Sequence, residues 1–305
     1  MEHLFIINPA AGKHDKTAEY TALIEENCRG LNYRIAVSQG PGDCTRIARE
    51  AAEAGTPVHI YACGGDGTLN EVVCGAAGFD DAAVTCFVGG SGNDFVKIFD
   101  DPGAFRDLPR LLDWEEAEFD LIDCNGDQSI NICSVGLDAR IGVQVSQYKR
   151  LPLVSGSGAY ILSTLVNVFR GVSEHYVVEV NGQRIDREQT MICVANGRFY
   201  GGGFNPVPDA DPSDGKIDVL LVKKLNLLQI ATVIGKYKKG LYATLPDLVK
   251  HFRTDHVRIL CDRDTPINLD GELRMGKTVD LKISRKKIRF FYPKGVHWQA
   301  PVAVK

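Results

Sequence analysis

Along the first 120 residues, short unbroken apolar runs alternate with stretches of helical period. HLFIINP reads as a strand closing in a turn, Thr17–Cys28 as a helix, YRIAVS as a strand, and Cys44–Ala54 as a helix closed by Gly55. HIYACGG is the next strand, Gly67–Gly75 opens another helix, and AVTCFVGG is a further strand. This βαβα rhythm predicts a parallel sheet with helices on its faces. Asp100–Glu118, interrupted by Pro102 and Pro109, reads as a looser helical connection.

Beyond Ala117 the rhythm shortens to EFDLIDCNG, QSINICSVG, HYVVEVNGQRI, QTMICVANG, KIDVLLV, HVRILCD, TPINLDGE, TVDLKIS and KIRFFYP. Asn-Gly and Asp-Gly pairs between such runs are hairpin signals. A second part, mainly antiparallel β with helical insertions near 157–169 and 225–249, is therefore expected over residues 121–286. The expected fold class is α/β: an N-terminal three-layer nucleotide-binding domain with a parallel sheet over residues 1–120, and a β-rich, sandwich-like C-terminal domain.

Leu151–Phe169 is an uncharged stretch of 19 residues, nominally long enough for a membrane span. Pro152, Gly156, Gly158 and several hydroxyls favour instead a helix from about Ser157 to Phe169 packed on a sheet, with an apolar surface on which an acyl chain could lie. The acidic start MEHLFIINPAAG reaches Asn-Pro before a signal-peptide core can form. Nine cysteines, scattered without a Cys-x-x-Cys pair, read as buried thiols in a reducing cytosol, and no Cys/His spacing suggests zinc.

Charge separates the two parts. The chain carries 35 Lys/Arg and 39 Asp/Glu for a net charge of −4, but residues 1–120 hold nine basic against 21 acidic residues, a net −12, and residues 121–305 hold a net +8. An acidic half discourages nucleic acid as a partner, whereas a basic half suits an anionic surface. Both distributions are also what solvated faces look like.

The densest chemical signal is Gly64-Gly65-Asp66-Gly67-Thr68-Leu69-Asn70-Glu71, between strand text and helix text. Glycines admit close backbone approach, a helix start offers free N–H groups to phosphate, and Asp66 stands where a divalent cation bridging phosphates needs an oxygen ligand. A glycine turn with an acidic helix cap is the plainer alternative. Asn8-Pro9-Ala10-Ala11-Gly12-Lys13 and Gly89-Gly90-Ser91-Gly92-Asn93-Asp94-Phe95 end neighbouring strands, and the carboxyl ends of parallel strands share one edge. Lys13 suits a terminal phosphate, and Asn93 a nucleotide or a metal-bound water; a surface cation and a turn residue are the plainer alternatives.

With these strings the chain resembles the diacylglycerol kinase catalytic-domain family of soluble bacterial lipid kinases, whose eukaryotic relatives include sphingosine and ceramide kinases. The resemblance rests on Asn8, Pro9, Gly12 and Lys13, on Gly64 through Glu71, on Gly90 through Phe95, on Asp120, Asn131, Gly136 and Asp138, and on Leu269-Asp270-Gly271-Glu272. Ser91 stands for the family's Thr, and Val88-Gly89 for its proline. NAD kinases share the Gly-Gly-Asp-Gly-Thr loop; the Asn93-Asp94 and Asp270-Gly271-Glu272 segments favour the lipid branch.

The resemblance implies ATP, with Mg²⁺, in the cleft between the two domains, and the strand text near Lys287–Tyr292 returning to the first domain, which about residues 287–305 would complete. It implies transfer of the γ-phosphoryl group to a lipid hydroxyl, diacylglycerol becoming phosphatidic acid. Nucleotide contacts fall on Asn8, Pro9, Gly12, Lys13, Gly64, Gly65, Gly67, Thr68, Glu71, Gly90, Ser91 and Asn93. Asp66 is the magnesium-linked carboxylate, Asp270 the general base and Glu272 its companion, holding metal water or orienting the acceptor. The acidic run from Asp209 to Asp218 resembles a stretch that binds a structural Mg²⁺ in some members, so Asp120, Asp214 and Asp218 join Asp66 as metal ligands; a plain Asp/Pro/Gly turn is the alternative there, as a hairpin turn is at Asp270-Gly271. Read from the residues alone, Arg198, Phe199 and Tyr200 before Gly201–Gly203 are candidates to line a substrate cleft, with a mobile lid or a simple loop as the plainer reading.

A lipid acceptor further implies a cytoplasmic, peripherally membrane-associated protein touching anionic bilayer through Tyr148-Lys149-Arg150, Lys236 with Lys238 and Lys239, or Arg285-Lys286-Lys287. An edge strand permits a homodimer. The rivals are a kinase for a sphingoid base, another lipid or NAD, and a non-catalytic nucleotide-binding regulator.

Overall fold

The computed structural model describes residues 1–12, 14–89, 92–137, 139–140 and 173–298. The first part runs β1 (Glu2–Ile7), α1 (Thr17–Asn27), β2 (Tyr33–Val37), α2 (Asp43–Glu53), β3 (Val58–Gly64), α3 (Asp66–Ala76) and β4 (Ala82–Val88). After one-turn α4 (Leu108–Leu111) come β5 (Trp114–Cys124), β6 (Asp127–Ser129), β7 (Ile132–Gly136), β8 (Glu174–Val180), β9 (Gln183–Ala195) and β10 (Ile217–Lys223). Helix α5 (Leu227–Tyr237) and strands β11 (Val249–Thr254), β12 (His256–Leu269) and β13 (Glu272–Pro293) follow. The α/β plus β-rich architecture is the one the pattern predicts.

Strands β2, β1, β3 and β4 pair in parallel in that order. Every residue of β3 and β4 is buried, as expected of inner parallel strands with both faces covered. The remaining sheet order, β13-β12-β7-β9-β10-β11, is antiparallel. Strand β13 joins the two regions: it pairs with β12 from Glu272, with β5 from Leu281, and in parallel with β4 at Arg289 and Phe290. A shift in its register against β5 between Ile283 and Lys287 bends it from one region to the other.

Alternation along the strands assigns each side chain to a core. On β5, Phe119 and Leu121 enter the first core with Phe290 and Phe291, while Ile122 and Cys124 enter the second. On β9 and β10, Ile192, Val194, Val219 and Leu221 face that second core, and Cys193, Ala195, Leu220 and Val222 pack under α5 with Ile230, Val233 and Tyr237. Both faces of these strands are dry, which is why their text reads as continuous apolar runs.

Several elements differ from the pattern. The connection before β5 holds a 3-10 turn at Pro102–Arg106 and one-turn α4, and β5 begins at Trp114, inside the acidic text read as helical. Pairing with β13 overrides the weak strand propensity of Glu115 and Glu116, and Arg289 compensates Glu116. HYVVEVNGQRI divides between β8 and the start of β9, which QTMICVANG continues without a break; HVRILCD and TPINL merge into β12, and TVDLKIS and KIRFFYP into β13, because a bulge interrupts pairing without ending a strand. The second helical insertion ends at Tyr237, followed by turns. The expected helix at 157–169 lies outside the described residues, among which no helix is long and apolar enough to cross a membrane. All nine cysteines are free; Cys74 and Cys261 are part-exposed rather than buried.

Helices α2 and α3 touch closely enough to set the angle of α3. A methyl group on Gly75 would sit 2.8 Å from Ala48 Cβ and closer still to the Thr45 carbonyl oxygen. Gly75→Ala, a gain in helix propensity, should therefore cost about 1–3 kcal/mol of stability through overpacking. An unchanged urea midpoint for this variant would show that the two helices separate freely.

Candidate active site

Three strand ends meet at one edge of the parallel sheet. Beyond β1, the Asn8 backbone N–H donates to the Cys63 carbonyl (3.2 Å), and beyond β4, Gly89 N–H donates to the Gly64 carbonyl (2.9 Å). Asn8 Nδ2 donates to Thr68 Oγ1 at 3.0 Å, and Asn8 Oδ1 accepts from Ala10 N–H at 3.0 Å, so Asn8 and Thr68 tie the first loop to the start of α3. Gly64 is needed because a side chain there would overlap that of Thr68. Gly12 has φ +92° and lies against the Gly89 carbonyl, and Pro9 sits in the turn before it. Lys13, Gly90 and Ser91 lie outside the described residues.

Gly65 is the extended N-cap of α3, and Asp66 its first residue, followed by exposed Gly67. Asp66 Oδ1 accepts from Asp94 N–H at 2.5 Å and from Phe95 N–H at 3.3 Å. Burial raises the Asp66 pKa, the Asp94 carboxylate raises it further, and the two N–H donors oppose both. Buried Asp94 accepts from Lys97 Nζ at 2.5 Å on one oxygen and from Gly202 N–H at 2.7 Å on the other. Buried Asn93, at φ +47°, makes the turn that delivers Asp94. Glu71 stands one turn behind Asp66 and faces α2, where its carboxylate accepts from Cys44 N–H at 3.2 Å and its carbonyl from the Thr45 hydroxyl at 2.9 Å.

A cleft of 460 Å³ lies at the junction, lined by Thr45, Glu71, Cys74, Asp127, Glu272 and Arg274 among others. Asp270 and Gly271, at φ +49° and +94°, form the two-residue turn from β12 to β13. The turn backbone is part-exposed, but the Asp270 carboxylate points inward and meets four donors. Oδ2 accepts from the Ser129 hydroxyl at 2.7 Å, Ile130 N–H at 2.9 Å and Asn131 N–H at 3.1 Å; Oδ1 accepts from Ile132 N–H at 2.8 Å. Burial still pushes its pKa up to about 6, and the charge of Asp66 adds to the rise. Glu272, with its side chain 49% exposed, has Arg274 at 3.8 Å.

The residues expected to hold a structural cation have separate partners. Asp120 accepts from Gly215 N–H at 2.7 Å and has Lys287 Nζ at 3.4 Å; Asp214 pairs with Arg253; Asp218 accepts from His251 at 2.6 Å. Among the described residues no three His, Cys, Asp or Glu side chains are gathered as a metal site. Buried Arg198 donates to the Ala210 carbonyl at 2.7 Å, supporting the acidic run; Asp138 lies outside the described residues.

Asp94 is visible in the sequence as part of a motif, but its bond to Gly202 is not; Ser129 on Asp270 and Asn196, whose amide donates to the carbonyls of Asp120 (2.8 Å) and Ile130 (2.7 Å), carry no motif. Their signal was confined to small polar residues at strand ends, which turns also require.

Residues 2–124 match the Diacylglycerol kinase catalytic domain, and residues 131–291 match the YegS C-terminal NAD kinase beta sandwich-like domain. A Staphylococcus carnosus protein named "Putative lipid kinase" is 24% identical over 95% of this chain and 96% of its own. The crystal structure of a diacylglycerol kinase from Bacillus anthracis str. Sterne shares the fold with a TM-score of 0.69 at 19% identity, covering 96% of this chain and 97% of that one. An NAD kinase from Archaeoglobus fulgidus in complex with ATP shares it with a TM-score of 0.51 at 12% identity, over 96% and 94%. With both halves matched in order over the three converging loops and the cleft behind them, the chain belongs to the diacylglycerol kinase catalytic-domain family, in the branch that carries the YegS-type C-terminal domain.

Proposed function

We propose that the protein transfers the γ-phosphoryl group of ATP to a lipid hydroxyl, with diacylglycerol as acceptor and phosphatidic acid as product. The observation that carries this reading is Asp66, a carboxylate anchored by the Asp94 and Phe95 N–H groups at a helix start that no side chain among the described residues caps, which suits phosphate oxygens. Family membership supports the kinase chemistry. An apolar pocket beside the Tyr200 loop, lined by Met191, Phe204, Val222, Ile230 and Tyr237, supports an acceptor with a hydrocarbon part.

Phosphoryl transfer is mainly a matter of positioning and charge stabilisation. The acceptor oxygen bonds to the γ-phosphorus, the bond from that phosphorus to the bridging oxygen of the departing ADP breaks, and the hydroxyl proton passes to a carboxylate. Asp66 Oδ2, beside a second carboxylate that raises its proton affinity, suits Mg²⁺, which would neutralise phosphate charge there. Asn8 and Thr68 keep the first loop against the helix start. The four donors on Asp270 occupy its carboxylate, so Asp270 acts as a positioning residue. Glu272, two residues on and open to the cleft, takes the proton.

In an assay of labelled phosphate transfer from ATP across a panel of diacylglycerol, sphingoid base and NAD, diacylglycerol should be the acceptor. Asp66→Asn and Glu272→Gln should each lower kcat by on the order of 10²- to 10⁴-fold. Transfer to another acceptor alone, or full activity in both variants, would remove the assignment.

Asp270 makes a separate prediction about stability. Its folded pKa of about 6 lies above the ordinary 3.8, so its stabilising contribution is complete below pH 3.8 and is lost as the pH rises through about 6. Asp270→Asn removes this proton linkage. Between pH 4 and 6, the urea midpoint of the wild type should therefore drop relative to that of the variant; parallel curves would mean that the carboxyl titrates normally.

A further inference from the structure

Residues 223–246 contain five lysines and no Asp or Glu. Lys224 is engaged by Glu188 at 2.7 Å, but Lys236, Lys238 and Lys239 crowd the carboxyl end of α5. That end is closed by two bonds, Gly240 N–H to the Tyr237 carbonyl (3.1 Å) and Leu241 N–H to the Lys236 carbonyl (2.9 Å), with Gly240 at φ +68°. Such a closure normally turns the following apolar residue inward. Here Leu241 is 40% exposed, and Ile234, on the last turn of the helix, is 39% exposed.

Lysines at a helix carboxyl end complement its dipole, which accounts for the charge but not for two branched aliphatic side chains left in water beside it. Basic and aliphatic groups side by side are the composition that partitions into the headgroup region of an anionic membrane. Of the other two basic runs, Tyr148-Lys149-Arg150 lies outside the described residues; in Arg285-Lys286-Lys287, Lys287 pairs with Glu118 and Asp120, and the Lys286 stem lies over Gly78. We infer that the carboxyl-terminal tip of α5, formed by Ile234, Lys236, Lys238, Lys239 and Leu241, is the surface that docks on an anionic lipid bilayer.

The tip is rigidly tied to the rest of the protein. A side chain on Gly240 would lie 2.5 Å from Pro208 Cδ, Asn205 N–H donates to the Lys238 carbonyl at 3.1 Å, and the Lys238 ammonium stands 5.3 Å from the centre of the Phe204 ring. Three residues before Asn205, Gly202 N–H holds Asp94. A bilayer on the tip thus faces the apolar pocket, which Ile234 and Tyr237 line, and touches the loop that reaches the candidate phosphate site. The inference rests on the lipid-kinase reading for what the bilayer delivers, not for the docking itself.

Sedimentation with vesicles of phosphatidylcholine and phosphatidylglycerol, free of diacylglycerol, tests it on the full chain. Wild-type binding should weaken with salt and be lost on phosphatidylcholine alone. Replacing Lys236, Lys238 and Lys239 together by Gln should lower partitioning about a hundredfold, and Leu241→Ser severalfold, with thermal transitions like that of the wild type. Transfer to a short-chain, water-dispersed diacylglycerol should be retained in both. Undiminished vesicle binding by the folded triple variant would overturn the docking surface even if the enzyme phosphorylates lipid. Loss of binding in that variant would uphold it even if the wild type phosphorylates none.

Discussion

The Asp94 carboxylate accepts from Gly202 while its own N–H donates to Asp66, so one residue couples the third sheet-edge loop to the helix start and to the β-rich region. The same device recurs. Asp270 gathers three consecutive backbone N–H groups before and within β7, and Asp120 takes that of Gly215. Buried carboxylates are costly unless hydrogen-bonded, and backbone donors do not titrate or rotate away. Meeting that requirement across the junction brings loops distant in sequence to one place.

This arrangement also makes sense of the charge division. A half carrying −12 is a poor host for triphosphate unless its carboxylates are tied down and its phosphate-facing groups are neutral N–H donors. The Asp94 carboxylate adds to the cost of ionising Asp66, and the Asp94 and Phe95 N–H groups oppose it. The basic surplus lies in the other half, where Lys287 already balances Glu118 and Asp120, and the lysines at the end of α5 sit beside exposed aliphatic groups.

Local text carried the alternating elements of the first part well, because β3 and β4 are buried on both faces and their helices end at Gly or turn residues. Asn181-Gly182 and Asp270-Gly271 were legible as turns, since both pairs require positive φ. The merged strands β9, β12 and β13 were not: a bulge leaves no breaker residue, and its position is chosen by the partner strands. The start of β5 was hidden by glutamates whose compensation by Arg289 comes from 173 residues away. At the site, the motif residues Asn8, Thr68, Asp66 and Asn93 were visible as a group, but Glu71 turned to α2 and the acidic run dispersed onto Arg253 and His251. Spacing in sequence cannot distinguish a carboxylate aimed at a ligand from one aimed at a neighbouring donor.

Asp270 shows why both descriptions of one short string hold together. Asp-Gly is a hairpin turn because both residues take positive φ, and that geometry turns the carboxylate inward onto Ser129–Ile132. With its oxygens occupied, Asp270 holds the opening of β7 and the start of β13 in fixed relation. Glu272, the first residue of β13, inherits its position from that clamp, and further along the same strand Phe290 and Phe291 pack in the first core. Moving the turn would therefore displace the cleft carboxylate relative to the helix start, so a residue whose own oxygens are occupied sets where that carboxylate stands.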